Sequence, residues 1–143
     1  MLAEIACFMA GGAAGAVLRF LSVEFAAQRL GFAAYRSIFL VNLLGCFALG
    51  LLMGFLAPTG GTLSGSSASG GPLQLGLEAA HLISLVGTGL LGGFTTFSTF
   101  ALDGVVLARE KRRVEFLVDV LGTPIFGMGL AALGWAMTAR WLA

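Results

Sequence analysis

Charge is what this sequence lacks most. Of its 143 residues, eight are Lys or Arg and seven are Asp or Glu, 10% in all; an ordinary soluble domain carries about 25%. The chain is 58% hydrophobic before its 22 glycines are counted. A soluble globule of this length could not keep so much apolar surface from water. The shortage excludes a standard globular enzyme, a disordered chain and a basic nucleic-acid binder, so no nucleic-acid partner is expected. Histidine and cysteine are equally scarce. Cys7 and Cys46 lie in apolar stretches without CxxC spacing, and His81 is the only histidine. Neither a metal cluster, a redox pair nor a Ser–His nucleophile is expected, and the chain is not read as an enzyme. Carboxylates are missing from the middle of the first apolar run, where Glu4 and Glu24 stand only at the ends. A small proton-coupled transporter needs a titratable acid there, which weighs against that class.

An integral membrane protein remains. A crossing takes about 20 residues, so the length allows four or five crossings and no extramembrane domain. The opening Met1-Leu2-Ala3-Glu4 has an acid where a signal peptide has positive charge, so a retained first helix is expected. Uncharged runs place spans at about 2–25, 37–57, 77–108 and 114–141. Between the second and third lies a Gly/Ser-rich stretch, 58–76, read as flexible coil. The whole chain is read as one all-α membrane domain of four transmembrane helices. Gly11 with Gly15, and Gly50 with Gly54, form GxxxG pairs that suit close helix packing within or between subunits.

The third span carries the chemistry. Gly87 to Phe100 holds four glycines, four threonines and a serine inside an apolar run. Gly92-Gly93 is a poor helix interior, costing roughly 1 kcal/mol per glycine relative to alanine. A break there frees carbonyls and amides, which is tolerable in a bilayer only where backbone is buried in protein or lines an ion-filled cavity. Freed carbonyls suit a cation. Phe94, Phe97 and Phe100 recur every third residue. They suit either a packing stripe or a weak anion site built from positive ring edges. Arg19, inside the first span, reads as a snorkelling side chain, a pore-mouth charge or a structural clamp. Asn42 reads as an interhelical hydrogen-bonding group or a vestibule ligand. Asp103 reads as an interface residue.

Three blocks together resemble the Fluc (CrcB-type) fluoride channels. They are Gly11-Gly12-Ala13-Ala14-Gly15-Ala16-Val17-Leu18-Arg19-Phe20, Val41-Asn42-Leu43-Leu44-Gly45, and Gly92-Gly93-Phe94-Thr95-Thr96-Phe97-Ser98-Thr99-Phe100. The blocks fall in the family's order, and the third is the specific one. The resemblance implies passive fluoride export across the cytoplasmic membrane by an antiparallel dimer of four-helix subunits. It implies two pores, a broken third helix and a structural sodium ion at the dimer centre. Carried over, Phe97 and Phe100 are the pore phenylalanines, Asn42 lines the pore, and Ser98 and Thr99 belong to its polar track. Arg19 matches the first-helix arginine near the vestibule. The carbonyls of Gly92 and Thr95 would hold the sodium; hard cations prefer oxygen ligands. The fourth helix departs from the family pattern. It offers Thr123, then Pro124 and little further hydroxyl until Thr138, and Asp119 stands where an Asn is common. The 58–76 loop is also long for the family. A thin polar track leaves open a non-conducting subunit paired with another.

The positive charges are unevenly placed. Arg29, Arg36, Arg109, Lys111, Arg112 and Arg113 share one side, and Arg140 stands alone on the other. The positive-inside rule puts the six-charge side in the cytoplasm and both termini outside. A chain so biased is expected to insert mainly one way and pair with an oppositely oriented homologue. The alternative is a homodimer of chains inserted both ways.

Overall fold

A computed structural model describes residues 2–56 and 83–141. The Gly/Ser loop, His81 and the first residues of the expected third span lie outside these. The described chain forms α1 (Leu2–Leu30), α2 (Ala34–Leu56), a broken third span and α5 (Arg113–Trp141). The third span is α3, a π-wound run Ile83–Leu91 continued by one α-turn Gly92–Phe94, followed by α4, Phe97–Arg109. Among the described residues, four helical segments are long and apolar enough to cross a membrane, the two halves of the third counted together.

α1 runs five residues beyond Phe25, the limit of its apolar run, because Glu24, Gln28 and Arg29 suit the polar end of a helix longer than the bilayer core. Its 29 residues span about 43 Å, against a hydrocarbon thickness of about 30 Å. Gly31 ends it in the left-handed region at φ 65°, where a side chain is disfavoured, and Phe32 N–H closes back on the Ala26 carbonyl at 3.2 Å.

The helices pack in two pairs, α1 on α3 and α2 on α5, with α4 against α2 and α5. The glycine pairs make both seams, and within one chain. A Cβ on Gly11 would overlap the Leu85 carbonyl, and one on Gly15 the Leu90 carbonyl. On the other seam a Cβ on Gly50 would overlap the Ala131 carbonyl, and one on Gly54 would stand 2.7 Å from that of Trp135. Lipid removes most of the hydrophobic drive between helices, so this backbone-to-backbone approach supplies the packing. Thr138 adds a hydrogen bond across the second seam, its hydroxyl donating to the Leu51 carbonyl at 3.2 Å.

Candidate functional site

The break in the third span falls at Thr95 and Thr96, not at Gly92-Gly93. Thr95 and Thr96 are both extended (ψ 158° and 124°), whereas Gly92 and Gly93 still belong to a helical turn. The glycines serve approach instead. A Cβ on Gly93 would overlap the Gly12 carbonyl of α1, and Gly92 faces open space. Thr95 still donates its N–H and hydroxyl to the Leu91 carbonyl, and the break is held because the Thr95 carbonyl and both Thr96 backbone groups find partners outside the helix.

Asn42 is the main partner. It is 7% exposed in the middle of α2. Its Oδ1 accepts from the Thr96 N–H at 2.9 Å, and its Nδ2 donates to the Thr96 carbonyl at 3.2 Å. One side chain thus satisfies both backbone polar groups of a buried residue, which would otherwise cost about 1–3 kcal/mol each. The Thr96 N–H would, in an unbroken helix, bond the Gly92 carbonyl; its diversion to Asn42 removes that partner. Arg19 reaches across from α1, and its guanidinium donates to the Thr95 carbonyl at 3.3 Å. This contact ties α1 to the break.

Thr96 also starts α4. Its hydroxyl accepts from the Thr99 N–H at 3.3 Å, as an N-cap does, and lies 3.2 Å from the hydroxyls of both Ser98 and Thr99. The three phenylalanines divide. Phe94 is buried, at 9% exposure, beside Gly15 and Gly45. Phe97 is 79% exposed, and its ring centroid lies 5.9 Å from that of Phe100, the planes tilted by 48°. The regular spacing did not reveal this division; the break rotates the chain between Phe94 and Phe97.

Asn42, Gly92, Thr95, Thr96, Phe97 and Phe100 line one open groove of about 630 Å³, closed on its far side by Val120, Thr123, Pro124 and Gly127 of α5. Ser98 and Thr99 do not line it; their hydroxyls meet it through Thr96. Arg19 lies behind it, on the α1 side of the Thr95 carbonyl. The groove is mostly apolar, with the polar side chains of Asn42, Thr95, Thr96 and Thr123 at intervals along it and the Phe97 and Phe100 rings beside them.

The roles of three residues were not legible in the sequence. Thr96 carries the break and the cap, and the Thr96-to-Thr99 spacing in front of a helical run was its signal. Thr123 lines the groove with a buried hydroxyl. One turn earlier, Asp119 is 2% exposed, with the Thr123 hydroxyl within reach of its carboxyl. Asp103 of α4 lies close enough for the two charges to interact. Asp103 is itself half-buried, with one carboxyl oxygen enclosed.

The family described as CrcB-like protein, Camphor Resistance (CrcB), matches residues 6–135. Relatives similar along the chain include a protein of Aquifex aeolicus named fluoride-specific ion channel FluC, 32% identical over 89% of this chain and 90% of its own. Another, FluC 2 of Rhodococcus jostii, is 35% identical over 90% of this chain and 93% of its own. FluC 1 of Rubrobacter xylanophilus is 34% identical over 99% of this chain and 97% of its own. Those relatives are named as channels and not as enzymes. With four helices able to cross a membrane and a groove formed at the break in the third, this chain is a multi-pass membrane protein that belongs to the CrcB family.

Proposed function

We propose that this chain forms a fluoride-selective channel that lets fluoride leave the cell passively across the cytoplasmic membrane. The observation that carries the reading is the break at Thr95-Thr96, held by Asn42 and opening onto a groove with Phe97 and Phe100. The names of the relatives support fluoride as the ion. In this reading the donors are the second N–H of the Asn42 amide and the Thr123 hydroxyl, with the Ser98 and Thr99 hydroxyls joined to the groove through Thr96. The Phe97 and Phe100 ring edges supply weak positive potential between them. Sparse, neutral donors suit conduction, since an ion that binds too well cannot leave.

The working unit is an antiparallel dimer, each groove being completed by a second subunit in the bilayer. The exposure of Phe97 supports this, because 79% of that ring has no cover within one chain. The partner is either a second copy or an oppositely oriented homologue. The bias of Lys and Arg toward one side favours the homologue and places both termini outside. Reporter fusions at the C-terminus test the orientation; equal populations facing both ways would favour the homodimer.

The break also suits a structural sodium ion. The Gly92 carbonyl has lost its helical N–H partner to Asn42, and the Thr95 carbonyl accepts from Arg19 with one lone pair while keeping the other. Hard cations take several oxygen ligands, and one chain offers these two, so a symmetric pair of chains would offer four. Bound there, sodium would supply a fixed positive charge tying two subunits together.

A second reading is favoured by Asp119. Asp119 stands one turn from Thr123 of the groove but lines a separate cavity with Phe39 and Leu40 of α2, and a buried acid there suits a subunit that supplies structure while its partner conducts. Efflux of fluoride and chloride from liposomes holding this chain alone separates the two. Fluoride efflux that disappears in Phe97→Ile supports the channel. Efflux only after a homologue is added supports the paired subunit. Equal fluoride and chloride flux overturns both.

A further inference from the structure

The turn between α4 and α5 concentrates charge that the pore does not use. Residues 109–113 read Arg-Glu-Lys-Arg-Arg, at the point where one membrane-length segment ends and the next begins. One of these cations is withdrawn into the fold. The Arg112 guanidinium bonds Glu115 at 3.1 Å, Glu110 at 3.5 Å and the Tyr35 hydroxyl at 3.2 Å, and it lies 5.1 Å from the Tyr35 ring centre. Both acids of the turn are thereby spent on one arginine. Tyr35 also accepts from Arg36 at 3.0 Å, so the turn is pinned to the start of α2.

Arg109, Lys111 and Arg113 are the remainder. All three are exposed, and none has an ion pair or side-chain hydrogen bond to another described residue. Lys111 holds φ 59°, the left-handed region where a helix C-terminus ordinarily places glycine. The turn closes as such a cap does, Lys111 N–H on the Ala108 carbonyl at 3.2 Å and Arg112 N–H on the Leu107 carbonyl at 3.0 Å. A charged side chain thus occupies a position whose backbone favours glycine, which marks the charge as useful. The turn ends two helices that cross a bilayer, so these cations stand at headgroup depth, with Tyr35 as an interfacial aromatic beside them.

We propose that the α4–α5 turn is a binding site for the headgroups of anionic phospholipids, with Arg109, Lys111 and Arg113 as its cations and the Tyr35–Arg112–Glu115 cluster as the brace that presents them. Cations next to a membrane span each favour an anionic lipid by about fivefold. The site holds whether or not fluoride is the ion carried.

Purified full-length protein, exchanged into mixed micelles with equal mole fractions of phosphatidylglycerol and phosphatidylcholine, tests it by native mass spectrometry. Phosphatidylglycerol adducts should outnumber phosphatidylcholine adducts, and the excess should fall about tenfold or more in Arg109→Gln/Lys111→Gln/Arg113→Gln. Arg109→Lys/Arg113→Lys keeps the charge and should keep the excess, as should Arg140→Gln at the opposite end. Thermal unfolding gives a second readout. The wild-type midpoint should rise with phosphatidylglycerol, not with phosphatidylcholine, and the neutralised variant should show no rise while unfolding cooperatively. An undiminished lipid excess in the neutralised variant overturns the proposal. So does an equal rise with glycerol phosphate alone, which would assign the site to free phosphate.

Discussion

The carboxamide of Asn42 pairs with the peptide of Thr96 in both directions, at 2.9 Å and 3.2 Å, as one strand pairs with another. That single relationship satisfies both backbone groups of the residue at which the membrane helix breaks. Replacing Asn42 by Leu leaves a buried N–H and a buried carbonyl unpaired, at about 2–4 kcal/mol together. Asn42→Asp keeps the acceptor and loses the donor, and should fall between. Thermal unfolding in detergent orders the three proteins, and fluoride efflux should fall in the same order. A Leu variant as stable as wild type would mean that Asn42 does not hold the break.

Gly15 and Gly12 differ by three positions on α1 but not in sequence character. A Cβ on Gly15 would strike the Leu90 carbonyl, whereas one on Gly12 meets nothing within 4 Å. Gly15→Ala should therefore destabilise by about 1–3 kcal/mol by forcing α1 off α3. Gly12→Ala should be neutral or slightly stabilising, since alanine is the better helix former by about 1 kcal/mol. Size-exclusion thermostability of the two variants checks the contrast.

These cases show how much of the molecule was legible in the sequence. The four crossings were legible because charge and turn residues punctuate apolar runs. Both GxxxG seams were legible as close packing, but not which helix each would meet, since that depends on how the chain returns. The break was legible as an event and misplaced by a few residues. Glycine propensity pointed at Gly92-Gly93, while the deciding force was a tertiary one, the Asn42 amide on the Thr96 peptide. Asp119 was legible only as an unusual residue, because its burial depends on α2 and α4 closing around α5.

Phe94 and Phe97 should respond to substitution in opposite ways. Phe94→Ala empties a buried site between α1 and α2 and should cost about 3–5 kcal/mol of stability. Phe97→Ile removes an exposed ring and should leave unfolding almost unchanged while abolishing fluoride efflux. Phe100→Ile should lower efflux with a modest stability cost, its ring being half-buried. Efflux assays paired with unfolding curves separate loss of function from loss of fold. Retention of efflux in Phe97→Ile would remove that ring from the pore.

Asp119 offers the sharpest electrostatic test. It is 2% exposed and stands one turn before Thr123, whose hydroxyl lies within its reach and lines the groove. A negative charge there opposes an anion and interacts with Asp103. Asn at this position keeps the shape, brings its own donor and removes the charge. Asp119→Asn should raise stability by about 1 kcal/mol or more, through removal of a buried carboxyl. It should also raise fluoride flux by about tenfold, the effect of lowering the barrier by about 1.4 kcal/mol. Asp103→Asn should act in the same direction, and the double variant should gain less than the sum, because each single change already removes their mutual interaction. Flux measured at fixed fluoride gradient in liposomes decides it. An unchanged rate in Asp119→Asn would place the carboxyl outside the field that the moving ion experiences, and a lowered rate would make it part of the conducting path.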